Sequence, residues 1–371
     1  MSRVPRHRSR LGLAGTVLIA VVGACGGGPT SSVAPSPGAA DPSSPPASPT
    51  AGPQTWRLGL SNSVASDPWR TAMVCTAKAQ ARVSERVDRL LLADRGTDAA
   101  GQAADLRNLV ATGVDAVVIA PHDPAALEEA VAEAVAAGVV VVAVGRAIAV
   151  DGTFAIVTDQ EAVGSAGATW LITKLEGTGR VVYVRGGPDD AIDEARDAGV
   201  RRTFEGAPDM EIVAEIATDG DPAQAVEGLN ALIADKQRID AVLTTGPDSV
   251  IVDALKAADE DLVPIVGGDR GAFVSQLLTE EGLVGAVVTD PPAVGGAAVA
   301  LALAVLDGDP PAEPIVRIEP EVWANDSDEG RARLAEADDP EIELGWPLSL
   351  TLRDGTDYEV ADAVACQGPG A

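Results

Sequence analysis

The sequence has few of the side chains from which enzymes build catalytic and metal centres. Its 371 residues include three cysteines and two histidines, and aromatic residues make up 3% of the chain. A zinc site needs several Cys or His ligands, and His122 is the only histidine after His7. Neither G-x-S-x-G nor G-x-x-x-x-G-K-[ST] occurs, so the nucleophile elbow and the phosphate loop are both missing. We therefore predict a protein that is not an enzyme and uses no metal or cofactor.

Positive charge is also scarce. The chain has 27 Lys and Arg residues against 56 Asp and Glu residues, which gives a formal net charge of −29. Nucleic-acid binding depends on clustered basic side chains, so we expect no nucleic-acid partner. An acidic surface does not favour an anionic membrane surface either, and any membrane attachment would have to come from a lipid.

The first 24 residues have the form of a lipoprotein signal peptide. An apolar run over 11–22 is followed by small residues and Cys25. This run is shorter than the roughly 20 residues of a membrane span. A cysteine in this place resembles a bacterial lipobox, which predicts lipidation of Cys25 and an extracytoplasmic, lipid-anchored protein. A plain signal peptide or an uncleaved anchor are the alternatives. The basic n-region consists of Arg3, Arg6, Arg8 and Arg10.

Residues 25–53 are dominated by Gly, Pro, Ser, Ala and Thr, with a single charge at Asp41. Such a composition cannot bury a core, so we predict a disordered tether. The body that follows, 54–371, exceeds the usual size of a single core and predicts two lobes.

The body alternates short apolar runs with Ala-rich segments of helical length, which predicts an α/β protein with doubly wound parallel sheets. Many of the runs are apolar throughout, as in strands covered on both faces. Asp-Pro pairs at 123–124, 221–222 and 290–291 predict helix starts. From Ile315 onward the pattern breaks, and we expect an extended arm. The predicted strands are 56–60, 87–93, 116–120, 139–144, 154–157, 180–185, 211–216, 241–244, 263–266 and 283–288.

Polar side chains follow several of these strands directly. In an open α/β sheet ligands bind at the carboxyl ends of the strands, so these side chains should face a crevice. Trp69 and Arg70 suit a polyol, because the ring packs on C–H faces and the guanidinium bonds hydroxyls. Alternatively, Trp69 is a core residue and Arg70 a solvated one. The set comprises Ser63, Asp67, Trp69, Arg70, Arg146, Asp159, Gln160, Arg196, Asp269, Arg270, Thr289 and Asp290.

The order of several motifs over about 56–316 resembles one family. These motifs are DPWR, GVDAVVIAPHDPAAL, VGRAI, EARDAGV, IVGGDRGA and LVGAVVTDPPAVGG. Together they resemble the type I periplasmic sugar-binding proteins of ABC importers, the ribose-binding-protein-like group. The resemblance implies two Rossmann-like lobes joined by a three-stranded hinge, with crossings near Thr158, Thr289 and Ile315. Lobe 1 would comprise 54–158 plus 290–315 and lobe 2 would comprise 159–289, while 316–371 would form a C-terminal arm returning to lobe 1.

The resemblance also implies a ligand-binding set. Arg146 matches the family's ring-contacting arginine, Arg196 its lobe-2 arginine, and Asp269 its hydroxyl-binding aspartate. The full predicted set is Ser63, Asp67, Trp69, Arg70, Arg146, Asp159, Arg196, Asp248, Asp269 and Thr289.

The sequence departs from the family pattern at several of these positions. Gly145 replaces the usual Asp before Arg146, and Gly246 replaces an Asn, with Asp248 nearby. Gly268 replaces a Phe and Thr289 replaces a Gln. These departures indicate a ligand that is larger, differently substituted, or not a simple pentose or hexose.

Cys75 and Cys366 remain as an even pair in a chain predicted to be exported, which favours a disulfide. Such a bridge would staple the C-terminal tail to the first lobe, and two buried thiols are the alternative. Part of the resembled family shares this cysteine and an end like ACQGPG.

The predicted function is an extracytoplasmic solute-binding lipoprotein that delivers a sugar or sugar-like molecule to an ABC importer. Its partners would be the small-molecule ligand, the ABC permease subunits and the membrane through the lipid on Cys25, and the protein would be a monomer. A ligand-sensing co-receptor for signalling or chemotaxis is the alternative. An enzyme on the same fold is disfavoured by the missing catalytic groups.

Overall fold

The computed structural model describes residues 54–62, 67–94, 97–187 and 190–366, all within one compact unit, 51–371. The predicted signal peptide, Cys25, the tether and Ser63 lie outside the described residues. The strands are β1 (Trp56–Asn62), β2 (Val87–Asp94), β3 (Ala116–Ala120), β4 (Val140–Val144), β5 (Phe154–Thr158), β6 (Gly179–Arg185), β7 (Met210–Ala217), β8 (Ala241–Thr244), β9 (Ile265–Gly268), β10 (Gly285–Val288), β11 (Ile315–Ile318) and β12 (Val322–Ala324).

Helices alternate with most of these strands. They are α1 (Pro68–Val83), α2 (Ala99–Ala111), α3 (Pro124–Ala136), α4 (Gln160–Lys174), α5 (Ala191–Glu205), α6 (Pro222–Ala234), α7 (Asp248–Ala257), α8 (Gly271–Thr279), α9 (Val294–Leu306), α10 (Asp328–Ala337) and α11 (Val360–Val364). In the part of the chain that the structure describes, no helix is both long and apolar enough to cross a membrane.

The strands form two six-stranded sheets, one in each lobe. The first has the order β11-β5-β4-β3-β1-β2 and the second the order β12-β10-β9-β8-β6-β7. Pairing is parallel except between β10 and β12. The prediction of two doubly wound α/β lobes is therefore confirmed.

Each sheet is covered on both faces, which explains why its central strands are apolar throughout. All five residues of β3 are buried: Val118 packs against α1 and α9 on one face, and Val117 packs against α2 and α3 on the other. In the second lobe, Tyr183 packs on the side of α4 and α5, whereas Val182 packs on the side of α6, α7 and α8.

All ten predicted strands are found, as β1 to β10, with small shifts at their ends. The expectation for the C-terminal arm needs correction, because the segment after Ile315 contributes to both lobes. β11 completes the first sheet, β12 joins the second sheet, and α10 packs against α8. The chain then returns to the first lobe, where α11 packs against α1.

The lobes are connected by three crossings that lie side by side. The first follows Thr158, the second includes Thr289, and the third lies between β11 and β12. The amide of Thr289 donates to the carbonyl oxygen of Glu321 (2.9 Å), and the Glu321 amide donates to the Thr289 hydroxyl (2.8 Å). The Asp159 amide donates to the Ile318 carbonyl (3.0 Å), so the crossings form one hydrogen-bonded hinge.

The C-terminal segment is attached to α1 by a covalent bond. A disulfide joins Cys75 to Cys366, with the two Cα atoms 5.4 Å apart. An ion pair between Arg82 and Asp362 (2.7 Å) lies beside it. The predicted staple between the tail and the first lobe is present.

Candidate ligand-binding site

A cavity of about 360 Å³ lies between the two lobes at the carboxyl ends of their strands. The first lobe contributes the start of α1 and the turn after β4. The second lobe contributes α4, α5 and the ends of β8, β9 and β10. The polar lining residues and the one indole are Asp67, Trp69, Arg70, Arg146, Gln160, Asp190, Arg196, Thr244, Thr245, Asp269, Arg270 and Asp290.

The first turn of α1 places Trp69 and Arg70 in the cavity. Asp67 is the N-cap of this helix and accepts from the Arg70 amide (2.8 Å), and Pro68 occupies the first helical position. The Trp69 indole N–H donates to the carbonyl oxygen of Asp290 (2.7 Å), which ties α1 to the hinge.

The Arg70 side chain is half-buried, and one nitrogen of its guanidinium is buried without a hydrogen bond. This nitrogen, Nη1, has no hydrogen-bond partner among the described residues. Burial lowers the pKa of Arg70, the Arg146 charge lowers it further, and the carboxylates of Asp67 and Asp190 act in the opposite direction. A buried guanidinium nitrogen with an unused donor is a costly arrangement unless a ligand completes it.

Arg146 is held by the main chain of the neighbouring strand end. Its Nη2 donates to the carbonyl oxygens of Pro121 (3.0 Å) and His122. Gly145 precedes it with φ of +77°, a conformation that favours glycine, and so turns the chain at the end of β4. His122 itself contributes its backbone here, while the residue is exposed to solvent.

In the second lobe, Arg196, Gln160 and Asp290 form one bonded group. Arg196 donates from Nη2 to a carboxylate oxygen of Asp290 (2.8 Å) and from Nε to Oε1 of Gln160 (2.8 Å). Gln160 also donates to the other Asp290 oxygen (3.3 Å). The predicted helix start at Asp290 is wrong, since α9 begins at Val294 and the Asp290 carboxylate binds these two side chains instead.

Close packing of α4 on α5 makes this group possible. A Cβ on Gly199 would lie 2.0 Å from the Glu161 carbonyl oxygen, and a Cβ on Gly164 would lie 2.0 Å from that of Arg196. Only glycine permits this distance between the two helices. The contact brings the Arg196 side chain within reach of Gln160.

Asp269 and Asp248 are both buried, but they occupy different places. Asp269 lines the cavity and accepts from the Ser349 amide (2.8 Å), and burial raises its pKa. Asp248 lies beneath the wall, where it accepts from the Thr244 hydroxyl (3.0 Å) and the Gly268 amide (3.2 Å). Burial raises the pKa of Asp248 to about 7.

Six of the ten predicted ligand-binding residues line the cavity: Asp67, Trp69, Arg70, Arg146, Arg196 and Asp269. Their contact with a ligand stays a prediction. Three others have structural roles, because Asp159 caps α4 through the Ala162 amide (2.9 Å), Thr289 bonds within the hinge, and Asp248 supports the wall.

Six polar lining residues were not in the predicted ligand-binding set, namely Gln160, Asp190, Thr244, Thr245, Arg270 and Asp290. Gln160, Arg270 and Asp290 follow strands closely, so the same sequence signal identifies them. Asp190 is the N-cap of α5 and accepts from the Ile192 amide (2.7 Å), a role that its position before the helix indicates without pointing to the cavity.

Comparison with known proteins identifies the fold and the family. The Periplasmic binding protein domain matches residues 58–310. The chain is 23% identical over 254 residues to the ribose import binding protein of Bacillus subtilis, a match that covers 68% of this chain and 82% of that protein.

Solved structures share the fold. The periplasmic binding protein of the arabinose ABC transporter from Shewanella sp. ANA-3 superimposes with a TM-score of 0.66 at 24% identity, covering 76% of this chain and 95% of that one. The fructose-binding periplasmic domain of a hybrid two-component system superimposes with a TM-score of 0.64 at 21% identity. This match covers 76% of this chain and 94% of that domain's chain. The homologues are binding proteins, and this chain is accordingly a binding protein rather than an enzyme. With more than half of its length matched, the chain belongs to the Periplasmic binding protein domain family.

Proposed function

We propose that this chain is an extracytoplasmic lipoprotein that captures a sugar or sugar-like polyol between its lobes and delivers it to an ABC importer. The observation that carries the proposal is the cavity between the lobes, where guanidinium and carboxylate groups converge beside the Trp69 indole. Charged groups of both signs satisfy a ring of hydroxyls, and an indole packs on the C–H face of a sugar.

The hinge supplies the motion that this function needs. A ligand that bonds Arg70 and Arg146 from the first lobe and Arg196 from the second favours the closed arrangement. Closure about short crossings such as the hydrogen-bonded hinge is a common response to ligand in two-lobed binding proteins. The closed complex would be the form that permease subunits recognise.

Attachment to the membrane would come from a diacylated Cys25, followed by the 26–53 tether. The low positive charge of the chain supports a lipid as the anchor, since the protein surface gives little electrostatic attraction to anionic membranes. We expect Cys25→Ala to move the protein from the membrane fraction to the soluble fraction. Retention of that variant in the membrane would exclude the lipid anchor.

Binding is tested by a thermal-shift screen against pentoses, hexoses, polyols and related metabolites, followed by calorimetry. A ligand of the folded state raises the melting temperature by mass action. With the ligand so found, Arg146→Ala should weaken binding by roughly 10- to 100-fold, as expected for loss of a charged hydrogen bond. Arg238→Ala is the control, because Arg238 is largely exposed and pairs with Asp240 away from the cavity. Equal loss in both variants, or none in Arg146→Ala, would remove Arg146 from the site.

A ligand-sensing role is the second candidate, and the fold shared with the fructose-binding domain of a two-component system supports it. Deleting the gene distinguishes the two roles. Loss of uptake of the labelled ligand identifies a transporter component. Unchanged uptake, with loss of a ligand-induced transcriptional or chemotactic response, identifies a sensor.

A further inference from the structure

We propose that the natural ligand is a polyhydroxy acid, a sugar derivative whose carboxylate is bound by Arg70 with Arg146 beside it. This inference rests on the proposed function of the same cavity and specifies its ligand class. The cavity combines basic groups without ion-pair partners and acidic groups that already have bonds, and that imbalance selects for an anionic group.

The carboxylates of the wall are all engaged in bonds within the protein. Asp67 and Asp190 accept amide hydrogen bonds as helix caps, and Asp269 accepts from the Ser349 amide. Asp290 is paired with Arg196 at 2.8 Å. Free lone pairs remain for hydroxyl donors, but none of these groups is left unbonded.

The guanidiniums are less well satisfied. Among the residues that the structure describes, Arg70, Arg146 and Arg270 form no ion pair with a carboxylate, whereas Arg196 does. Arg146 donates to backbone carbonyls, which are uncharged and therefore do not neutralise its positive charge. Arg70 carries a buried N–H group without a partner in the described part of the chain.

Arg70 and Arg146 line the same cavity, and the charge of Arg146 contributes to the lowered pKa of Arg70. The Asp67 carboxylate acts on the pKa of Arg70 in the opposite direction and more strongly than Arg146 does, and Asp190 adds to it, but within the described residues neither carboxylate forms an ion pair with Arg70. Gly145 adds no carboxylate beside Arg146, and a Cβ there would meet nothing within 4 Å. The space beside Gly145, in the cavity that both arginines line, is therefore open to a ligand group.

A carboxylate fits this position better than a hydroxyl does. Its oxygens only accept, and its two oxygens match the planar fork of a guanidinium in a charge-assisted pair. A hydroxyl must also place its own proton, and it brings no charge to compensate two like-charged groups. The remaining hydroxyls of the ligand would be bonded by Asp67, Asp269 and the Arg196 group, with Trp69 against the carbon skeleton.

A phosphate ester presents the same acceptor chemistry with more charge and more bulk. Arg196 is already paired with Asp290, and Asp67 and Asp190 already act on Arg70, so little positive charge remains for a dianion and we favour the monoanionic carboxylate. Calorimetry with both kinds of ligand distinguishes the sugar acid from the sugar phosphate.

Calorimetry on the whole chain with matched sets of probes tests the inference. Each set contains a neutral sugar, the corresponding uronate or aldonate, and the corresponding sugar phosphate, with galactose, galacturonate, galactonate and galactose 6-phosphate as one set. We expect one acid to bind at least tenfold more tightly than its neutral parent, and its affinity to fall with added NaCl more steeply than that of the parent.

Variants assign the preference to the guanidiniums. Arg70→Gln should reduce the ratio of acid affinity to parent affinity toward one, as should Arg146→Gln, whereas Arg238→Gln should leave the ratio unchanged. A neutral parent that binds as tightly as every acid, or more tightly, would overturn the inference while leaving the sugar-binding proposal in place. Tighter binding of the phosphate would replace the carboxylate by a phosphate. Failure of every probe to bind would count against both the inference and the proposed function.

Discussion

Asp290 shows how one residue can connect the hinge to the binding cavity. Its side chain accepts from Arg196 and Gln160, and its carbonyl oxygen accepts from the Trp69 indole. A residue just past the end of β10 thus binds groups from α1, α4 and α5. Changes in the separation of the lobes must alter these bonds.

The indole bond to Asp290 gives the first prediction. Trp69→Phe keeps an aromatic ring in the cavity but loses the N–H donor, which should weaken ligand binding by about two- to tenfold, the effect of one hydrogen bond. Calorimetry measures the change, and Trp170→Phe on α4, outside the cavity lining, is the matched control. An affinity unchanged from the wild type would show that the bond does not contribute to the liganded state.

The second prediction concerns the buried carboxyl of Asp248. Burial raises its pKa from 3.8 to about 7, while Arg270 and the bonds from Thr244 and Gly268 oppose this rise. The folded state therefore keeps a proton that the unfolded chain releases, so the contribution of Asp248 to the free energy of unfolding is full below pH 3.8 and is lost as the pH rises through about 7.

Asp248→Asn removes this titration. Denaturant unfolding at about pH 5 and about pH 8 should show that the wild type loses roughly 1–3 kcal/mol more stability than the variant over that interval. Parallel pH profiles for the two proteins would mean that Asp248 is ionised in the fold.

At the scale of elements, the contact of α4 with α5 positions the Arg196 group. Gly199→Ala places a methyl group 2.0 Å from the Glu161 carbonyl oxygen and must separate the helices. We expect a loss of roughly 2–4 kcal/mol in the free energy of unfolding and weaker ligand binding together. Gly345→Ala is the control, since a Cβ there meets nothing within 4 Å and the backbone φ is not positive. Normal stability of Gly199→Ala would contradict the close approach of the helices.

The disulfide is the second element-scale feature with a measurable effect. It closes a loop across a sequence separation of 291 residues, so it restricts the unfolded chain strongly. Cys366→Ser should lower the free energy of unfolding by about 2–5 kcal/mol, whereas Arg82→Gln, which loses only the neighbouring exposed ion pair, should cost less than about 1 kcal/mol. Equal stabilities of wild type and Cys366→Ser under oxidising conditions would argue against the bridge.

The elements of the repeating body follow from sequence, and those of the C-terminal segment do not. Apolar runs such as 116–120 are long enough to identify a buried strand without any tertiary information. β11 and β12 have four and three residues and form only because an existing sheet edge accepts them. Asp-Pro pairs marked the starts of α3 and α6, but at Asp290 the local rule failed because Arg196 and Gln160 bind the carboxylate.

At the scale of the whole molecule, the site depends on residues far apart in sequence. Position after a strand was enough to identify Arg70, Arg146 and Arg196 as candidates, since all parallel strand ends of a lobe face the cleft. Sequence could not show that Arg196 is paired with Asp290 or that Arg70 is left with a free donor. Those outcomes depend on helix packing and on the hinge, which bring together residues as far apart in sequence as Arg196 and Asp290, 94 positions.

Capture of a ligand between two lobes predicts closure of the whole molecule, and small-angle X-ray scattering measures it directly. The experiment compares the compact unit, 51–371, without ligand and with a saturating concentration of the probe that binds most tightly in the calorimetric sets. A ligand bonded from both lobes should reduce the radius of gyration and shorten the largest interatomic distance. Scattering curves that superimpose, at a concentration at which calorimetry shows full occupancy, would contradict binding by closure of the cleft.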